Sequence, residues 1–141
     1  MITRVNERVF EYYPQLRRAN DYMQQHFSEP IAMRHVASAA GMARKYFSTF
    51  FRDKTGMTCR EYLSWVRITK SMALIEAGDV QLTAVALDVG FGSVRTFERA
   101  FRKAAGVSPI QFKQQVRALL NEHDPRGADE NQEEWRAAMS K

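Results

Sequence analysis

The sequence predicts an all-α protein of seven helices, forming two helix–turn–helix subdomains joined by one long connector helix. Three observations predict it. Apolar residues recur at helical spacing along most of the 141 residues, with no alternating run that would make a strand. Glycines stand where each helical stripe stops. A segment of about thirty residues is also written twice, about fifty residues apart, the mark of one structural unit built two times.

The repeat can be set residue by residue. Placing Ile31–Met42 over Val80–Phe91, an offset of 49, matches Val36 with Val85, Ala37 with Ala86 and Gly41 with Gly90. One residue is inserted in the turn. At an offset of 50, Phe47 then falls on Phe97, Phe51 on Phe101, Arg52 on Arg102, Gly56 on Gly106 and Thr58 on Ser108. The aromatic pair Tyr62 and Phe112 follows.

Each element has its own local reason. Residues 1–12 read as an N-terminal arm. Tyr13–Phe27 is helical because Leu16, Ala19, Asn20, Met23 and Phe27 share a face. The first helix–turn–helix, 31–56, opens on Met33, Val36, Ala37 and Ala40, spaced i, i+3, i+4, i+7 and stopped by Gly41. Phe47, Phe50, Phe51 and the stem of Lys54 give its second helix, 43–55, a buried stripe, and Gly56 ends it. Thr58 and Glu61 have capping-box spacing and open the connector, 58–77, whose stripe is Tyr62, Leu63, Val66 and Leu74. The second helix–turn–helix, 81–106, repeats the scheme with Leu82, Val85, Ala86 and Val89, then Ser93 as N-cap and Phe97, Ala100, Phe101 and Ala104 as stripe. Ser108 and Gln111 form another capping box, with Pro109 at the first helical position, opening a closing helix over 108–121. The tail, 122–141, is acidic and linker-like at its start, with one aromatic, Trp135.

Composition excludes several classes of function. With 45% hydrophobic and 26% charged residues the chain is a folded globule, not a disordered one. No apolar run could span a bilayer, and Met1–Glu7 has no signal core, so the protein is expected in the cytoplasm, away from membranes. A single cysteine, Cys59, excludes an intramolecular disulfide and any zinc site that needs two or four cysteines. It opens a helix, where a thiol pKa can fall, yet reads as an unreactive thiol beside the connector. His26, His35 and His123 lack ligand spacing, so no metal site is expected. Gly90-Phe91-Gly92 is a turn and no phosphate loop, since no strand precedes it. No nucleophile–base–acid set or paired carboxylates suggest catalysis, so no enzyme is expected.

The charge is patterned like the repeat. The net +5 resolves into net 0 over residues 1–30, +4 over 31–56, 0 over 57–80, +4 over 81–121 and −3 over 122–141. Two equal basic packets on two repeated units suit two contacts with a repeating polyanion. In a helix–turn–helix the second helix can enter the major groove of DNA. With the Phe stripes inward, the outward positions are Arg44, Lys45, Ser48, Thr49 and Arg52 in the first unit, and Val94, Arg95, Thr96, Arg99 and Arg102 in the second. Arg can bridge guanine bidentately, Ser and Thr can meet bases or phosphates, and Val94 suits a thymine methyl. A twenty-residue connector spans ~30 Å, near the ~34 Å between successive major grooves on one face of the duplex.

Over residues 13–121 the chain resembles the DNA-binding domain of the AraC/XylS family of bacterial transcription regulators. The most specific stretch is Val85–Ser93, then Phe97-Glu98-Arg99-Ala100-Phe101-Arg102, then Gly106-Val107-Ser108-Pro109-Ile110-Gln111-Phe112. It is similar to the family signature A-x-x-x-G-F, S-x-x-x-F-x-R-x-F-(K/R), G-x-(S/T)-P-x-x-(F/Y). The resemblance implies a homeodomain-like fold that binds an asymmetric site on double-stranded DNA and contacts RNA polymerase. With the short single-domain members it implies a monomeric activator without a cofactor, in the bacterial cytoplasm and on the nucleoid. It places base contacts at Lys45, Ser48 and Thr49 and at Val94, Arg95, Thr96 and Arg99, with Arg52 and Arg102 at phosphates. The chain departs from the family at Ala43, where a capping Ser is usual, and at Ser71, where Ala is usual.

Two other readings remain open on the sequence. One is a DNA-binding fragment of a longer ligand-responsive regulator, although 141 residues hold only the paired reader and two short extensions. The other is a helical protein-interaction adaptor without DNA affinity, which predicts little salt dependence of binding.

Overall fold

The structure, a computed structural model, describes residues 7–123. Residues 1–6 of the expected arm, and the expected tail from 124 onward with Trp135, lie outside the described residues. Eight helices follow one another and no strand occurs among the described residues: α1 (Arg8–Tyr12), α2 (Pro14–His26), α3 (Met33–Ala40), α4 (Arg44–Thr55), α5 (Cys59–Ala77), α6 (Leu82–Asp88), α7 (Val94–Ala105) and α8 (Pro109–His123).

The expected seven helices become eight because part of the arm is helical. α1 is one turn long, too short for a periodic stripe, and tertiary contact holds it. Phe10 is buried, with its ring centroid 4.9 Å from Tyr62 and 6.0 Å from Phe51. Tyr13 is extended, as a residue before proline prefers, and Pro14 takes the first helical position of α2.

The repeat is visible in the hydrogen bonds. At the end of α3 the Gly41 and Met42 amides donate to Ser38 and Ala37, both at 3.0 Å. The Gly90 and Phe91 amides donate to Leu87 and Ala86 at 3.1 and 3.0 Å, the same bonds 49 residues on. Gly56 donates to the Arg52 carbonyl and Gly106 to the Arg102 carbonyl, each at 2.9 Å. Both capping boxes place their hydroxyls as expected: Thr58 Oγ1 accepts from the Glu61 amide at 3.1 Å and Ser108 Oγ from the Gln111 amide at 3.1 Å. At the second, Gln111 Oε1 also accepts from the Ser108 amide at 2.9 Å.

Two cores result. The first joins α1 to α4 with the start of α5, around Leu16, Met23, Val36, Phe47, Phe51 and Val66. The second joins the rest of α5 with α6 and α7, around Ile68, Val85, Val89, Phe97 and Phe101. The connector thus closes one lobe and opens the other, on different faces. At 100° per residue, Cys59, Tyr62, Leu63 and Val66 centre on one direction, and Ile68, Ser71 and Ile75 on another roughly 170° away.

That switch of face corrects the expected connector stripe. Leu74 continues the direction of Leu63 and Val66 into the second lobe, where the buried face is opposite, and it is 39% exposed. In α4, Lys54 is exposed, with its ammonium 5.1 Å from the Tyr13 ring centroid and 5.9 Å from that of Phe50, and Thr55 is buried instead. Thr55 satisfies its own hydroxyl, 2.7 Å from the Phe51 carbonyl oxygen, and accepts from the Met57 amide at 3.2 Å. Ser71, fully buried, donates to the Ile68 carbonyl at 2.6 Å, so a hydroxyl in place of alanine leaves no unpaired polar group.

Candidate nucleic-acid interface

α4 and α7 are amphipathic because each is anchored by the same two phenylalanines. Phe47 and Phe51, and Phe97 and Phe101, are fully buried, with ring centroids 5.7 Å apart in both pairs. Everything opposite them is left to solvent. Arg44, Lys45, Ser48, Thr49 and Arg52 are exposed and fall within roughly 140° of arc on α4. On α7, Arg95, Arg99 and Arg102 are exposed within roughly 60°.

The other expected positions differ in character. Val94 is only half-exposed and packs against the second core. Thr96 is exposed, but its amide donates to Ser93 Oγ at 3.2 Å and its hydroxyl lies 2.9 Å from the same oxygen, so it belongs partly to the N-cap of α7. Ser48 Oγ donates to the Arg44 carbonyl at 3.2 Å within its own helix. Ala43 supplies no cap to α4, whose backbone nonetheless enters extended, φ −65 and ψ 141.

Beside each helix lies an open cleft, in the same place in both lobes. One, about 560 Å³, has Arg44, Ser48, Thr49 and Arg52 on one wall and Thr58 and Arg60 at the start of α5 on the other. Its counterpart, about 630 Å³, sets Arg95, Arg99 and Arg102 against Ser108 and Pro109 at the start of α8. The start of each helix carries the positive end of its dipole, which together with the arginines favours an anion, against the single carboxylate in each cleft, Asp53 in the first and Glu98 in the second. Among the described residues none of Arg44, Lys45, Arg52, Arg95, Arg99 and Arg102 makes an ion pair.

Further residues share this surface without having been expected there, Asp53 in the first cleft and Lys103 in the second among them. Glu98 is exposed and lines the second cleft among the arginines. The repeat register could have found it, since 98 is Ser48 carried forward by 50. Tyr46, 68% exposed on α4, and Arg60, on the cleft wall, had no signal in the apolar periodicity.

Cys59 also borders the first cleft, yet it is buried, 3.8 Å from the Met23 sulfur, and burial pushes its thiol up to about 12. Desolvation therefore outweighs the helix N-terminus. His35 Nδ1 accepts from the Ala32 amide at 3.4 Å, and His26 Nδ1 lies 2.5 Å from Glu29 Oε2. Among the described residues no three His, Cys, Asp or Glu side chains gather in a group that could hold a metal, and no helix is long and apolar enough to cross a membrane.

Comparison with known proteins places this surface in context. A family model described as a helix-turn-helix domain matches residues 36–115. A probable transcriptional regulator, LumQ of Photobacterium leiognathi, is 30% identical over 94 residues, covering 67% of this chain and 38% of that one. The HTH-type transcriptional activator RhaS of Klebsiella pneumoniae is 28% identical over 99 residues, covering 70% of this chain and 36% of that protein. The chain thus spans a little over a third of the length of these relatives. Among solved structures, the DNA-binding domain of AdpA, a global transcriptional factor in complex with a target DNA, superposes with a TM-score of 0.68 at 28% identity, covering 74% of this chain and 94% of that one. The C-terminal domain of AraT, a response regulator of Geobacillus stearothermophilus, does so at 0.67 and 30% identity, covering 72% and 85%.

Proposed function

The chain belongs to the AraC/XylS family of DNA-binding transcription regulators, and from that premise we propose that it reads double-stranded DNA as a monomer, with α4 and α7 in successive major grooves on one side of the duplex. The observation that carries this reading is the duplicated basic face: two helices anchored alike, each with exposed bases that form no ion pair among the described residues. A polyanion supplies the missing partner. α5, at 19 residues, is roughly 28 Å long, which suits grooves ~34 Å apart.

Lys45, Ser48, Thr49, Val94, Arg95, Thr96 and Arg99 read base edges in this proposal, and Arg44, Arg52 and Arg102 meet phosphates. The regulator acts in the cytoplasm as an activator that touches RNA polymerase, in keeping with the activator RhaS among its relatives. Its work is binding and needs neither a catalytic step nor a cofactor.

Selection of bound sequences from a random duplex pool tests the reading. The expected product is one asymmetric site spanning about two turns of DNA, bound with an affinity that falls steeply with salt. Arg95→Ala and Arg99→Ala should each cost ~1–3 kcal/mol at that site and relax specificity locally. Arg52→Ala and Arg102→Ala should weaken all sequences alike and lower the salt slope by about 1 each. An unenriched pool with salt-independent binding would leave a protein-interaction adaptor as the better description.

A further inference from the structure

The connector passes from one core to the other across a single residue. Val66 is buried in the first core and Ile68 in the second, and Arg67 stands between them. Its guanidinium turns back onto the first lobe, where Nε donates to the Phe27 carbonyl at 2.8 Å and Nη2 to the Glu29 carbonyl at 2.9 Å. These carbonyls lie just past the end of α2, where a helix presents its negative pole and a cation is favoured. The turn that carries them is itself held, with the Glu29 amide donating to the His26 carbonyl at 2.9 Å.

The same guanidinium reaches the second lobe. Its carbon lies 5.9 Å from the Phe91 ring centroid, and Nε is 2.9 Å from where a Cβ on Gly90 would stand. The Phe27 ring packs against both cores. Arg67 is half-buried, and burial draws its pKa below the usual arginine value, though a guanidinium keeps its proton.

We propose that Arg67 is a positioning residue for DNA reading: it clamps the end of α2 to the α6–α7 turn and so fixes the one half-site spacing the protein accepts. The clamp rests on the DNA-reading function proposed above. Its need follows from the connector, a stiff rod with the lobes packed on opposite faces, so that the roll of one lobe against the other is limited by the α5 side chains each core buries and by the contacts at the junction. One base pair moves a half-site by ~3.4 Å and turns it by roughly 35°. A roll held well below that angle makes spacing a specificity determinant.

Two measurements test this. The first uses a duplex recovered from a random pool by the full chain, with derivatives carrying one base pair added or removed between the half-sites. The wild type should bind the derivatives at least tenfold more weakly. In Arg67→Met that ratio should fall below about threefold, and Arg67→Lys, which keeps the charge but loses the two-pronged fit, should lie between. A merely structural role would weaken all three duplexes alike and leave the ratio unchanged, which overturns the proposal. If Arg67→Met does not fold, an unchanged ratio in Arg67→Lys overturns it equally.

The second measurement needs no DNA. Spin labels at Ser38→Cys and Ala84→Cys, both exposed and off the recognition helices, should give one narrow distance distribution in the wild type and a broadened one in either Arg67 variant. Equally narrow distributions refute the clamp, whereas a pool that yields no duplex refutes only the DNA reading.

Discussion

A Cβ on residue 90 would stand 2.4 Å from the carbonyl oxygen of Phe27, so the second helix–turn–helix touches the first lobe backbone to backbone. Gly90 also has φ +100, a conformation that L side chains avoid. Gly56 separates the two effects, since it has φ +83 but nothing within 4 Å of an added methyl group. Gly56→Ala should therefore cost about 1 kcal/mol for conformation alone. Gly90→Ala should cost at least about twice that, because Phe27 and Arg67 must also retreat. Urea denaturation compares them, and equal losses would mean that the approach at Gly90 is not tight.

The duplicated unit was legible because its determinants are local. Glycine stops, Ser and Thr caps and the Phe pairs lie within one or two turns of the structure they decide. Whatever depends on distant chain was not. α1 exists because Phe10 finds Phe51 and Tyr62, residues 41 and 52 positions away. Leu74 follows the stripe of Val66 and is exposed all the same, because which face of a connector is buried depends on which lobe it has entered. Arg67 looks like any connector base until Phe27 and Phe91 are placed beside it. On the candidate interface, outward direction was readable from the Phe stripes alone, but Thr96 is drawn into a cap and Val94 into the core by neighbours outside that stripe.

α4 starts without the cap that α5 and α7 possess. Ala43 has φ −65 and ψ 141, close to the φ −70 and ψ 156 of Thr58, whose hydroxyl does cap its helix. Ala43→Ser should consequently stabilise the chain by ~0.5–1 kcal/mol, and Ser93→Ala should cost about 1 kcal/mol. Thermal melts would show shifts of roughly 2–6 °C in opposite directions. A melt unchanged by Ala43→Ser would mean that the entry of α4 cannot bring a hydroxyl to its amides.

α8 is tied down through the α5–α6 loop. Asp79 pairs with Lys113 at 3.2 Å and with Arg117, and Lys113 Nζ donates to the Val80 carbonyl at 2.7 Å. Hydrogen bonding from Lys113, then the charges of Arg117 and Lys113, hold the Asp79 carboxyl below the usual carboxylate range. A depressed folded pKa stabilises above the unfolded value, ~3.9, and the contribution disappears as pH falls through the folded one. Asp79 is largely exposed, so solvent screening keeps the effect at or below ~1 kcal/mol. Asp79→Asn should lower stability by that amount from pH 5 to 7 and converge on the wild type in stronger acid. A gap that persists at pH 2 would point to a cause other than the charge.

Cys59 should be chemically silent while the protein is folded. With its thiol pushed up to about 12 by burial, almost no thiolate exists at pH 8. A disulfide reagent such as Ellman's should modify it only as the first lobe opens, at a rate that rises with urea. Prompt labelling in buffer would show that the α5 start is looser than its packing against Met23 indicates.

Glu98 sits where an acid is least expected, in a cleft lined by Arg95, Arg99 and Arg102. Facing phosphates, its charge opposes binding to any DNA. Facing a base, a carboxylate accepts from the amino group of cytosine and rejects the acceptor-rich edge of guanine. Both effects predict one pattern for Glu98→Ala: tighter binding to random duplex, and a loss of ~1–3 kcal/mol of discrimination at one position of the selected site. Glu98→Gln should share the first effect and move the preference towards adenine, which an amide can bridge bidentately. Titration of both variants against the selected duplex and its single-base changes reads this directly. Should Glu98→Ala weaken random and selected duplexes together, Glu98 instead orients the neighbouring arginines, and the specificity of the second helix rests on Val94, Arg95, Thr96 and Arg99 without it.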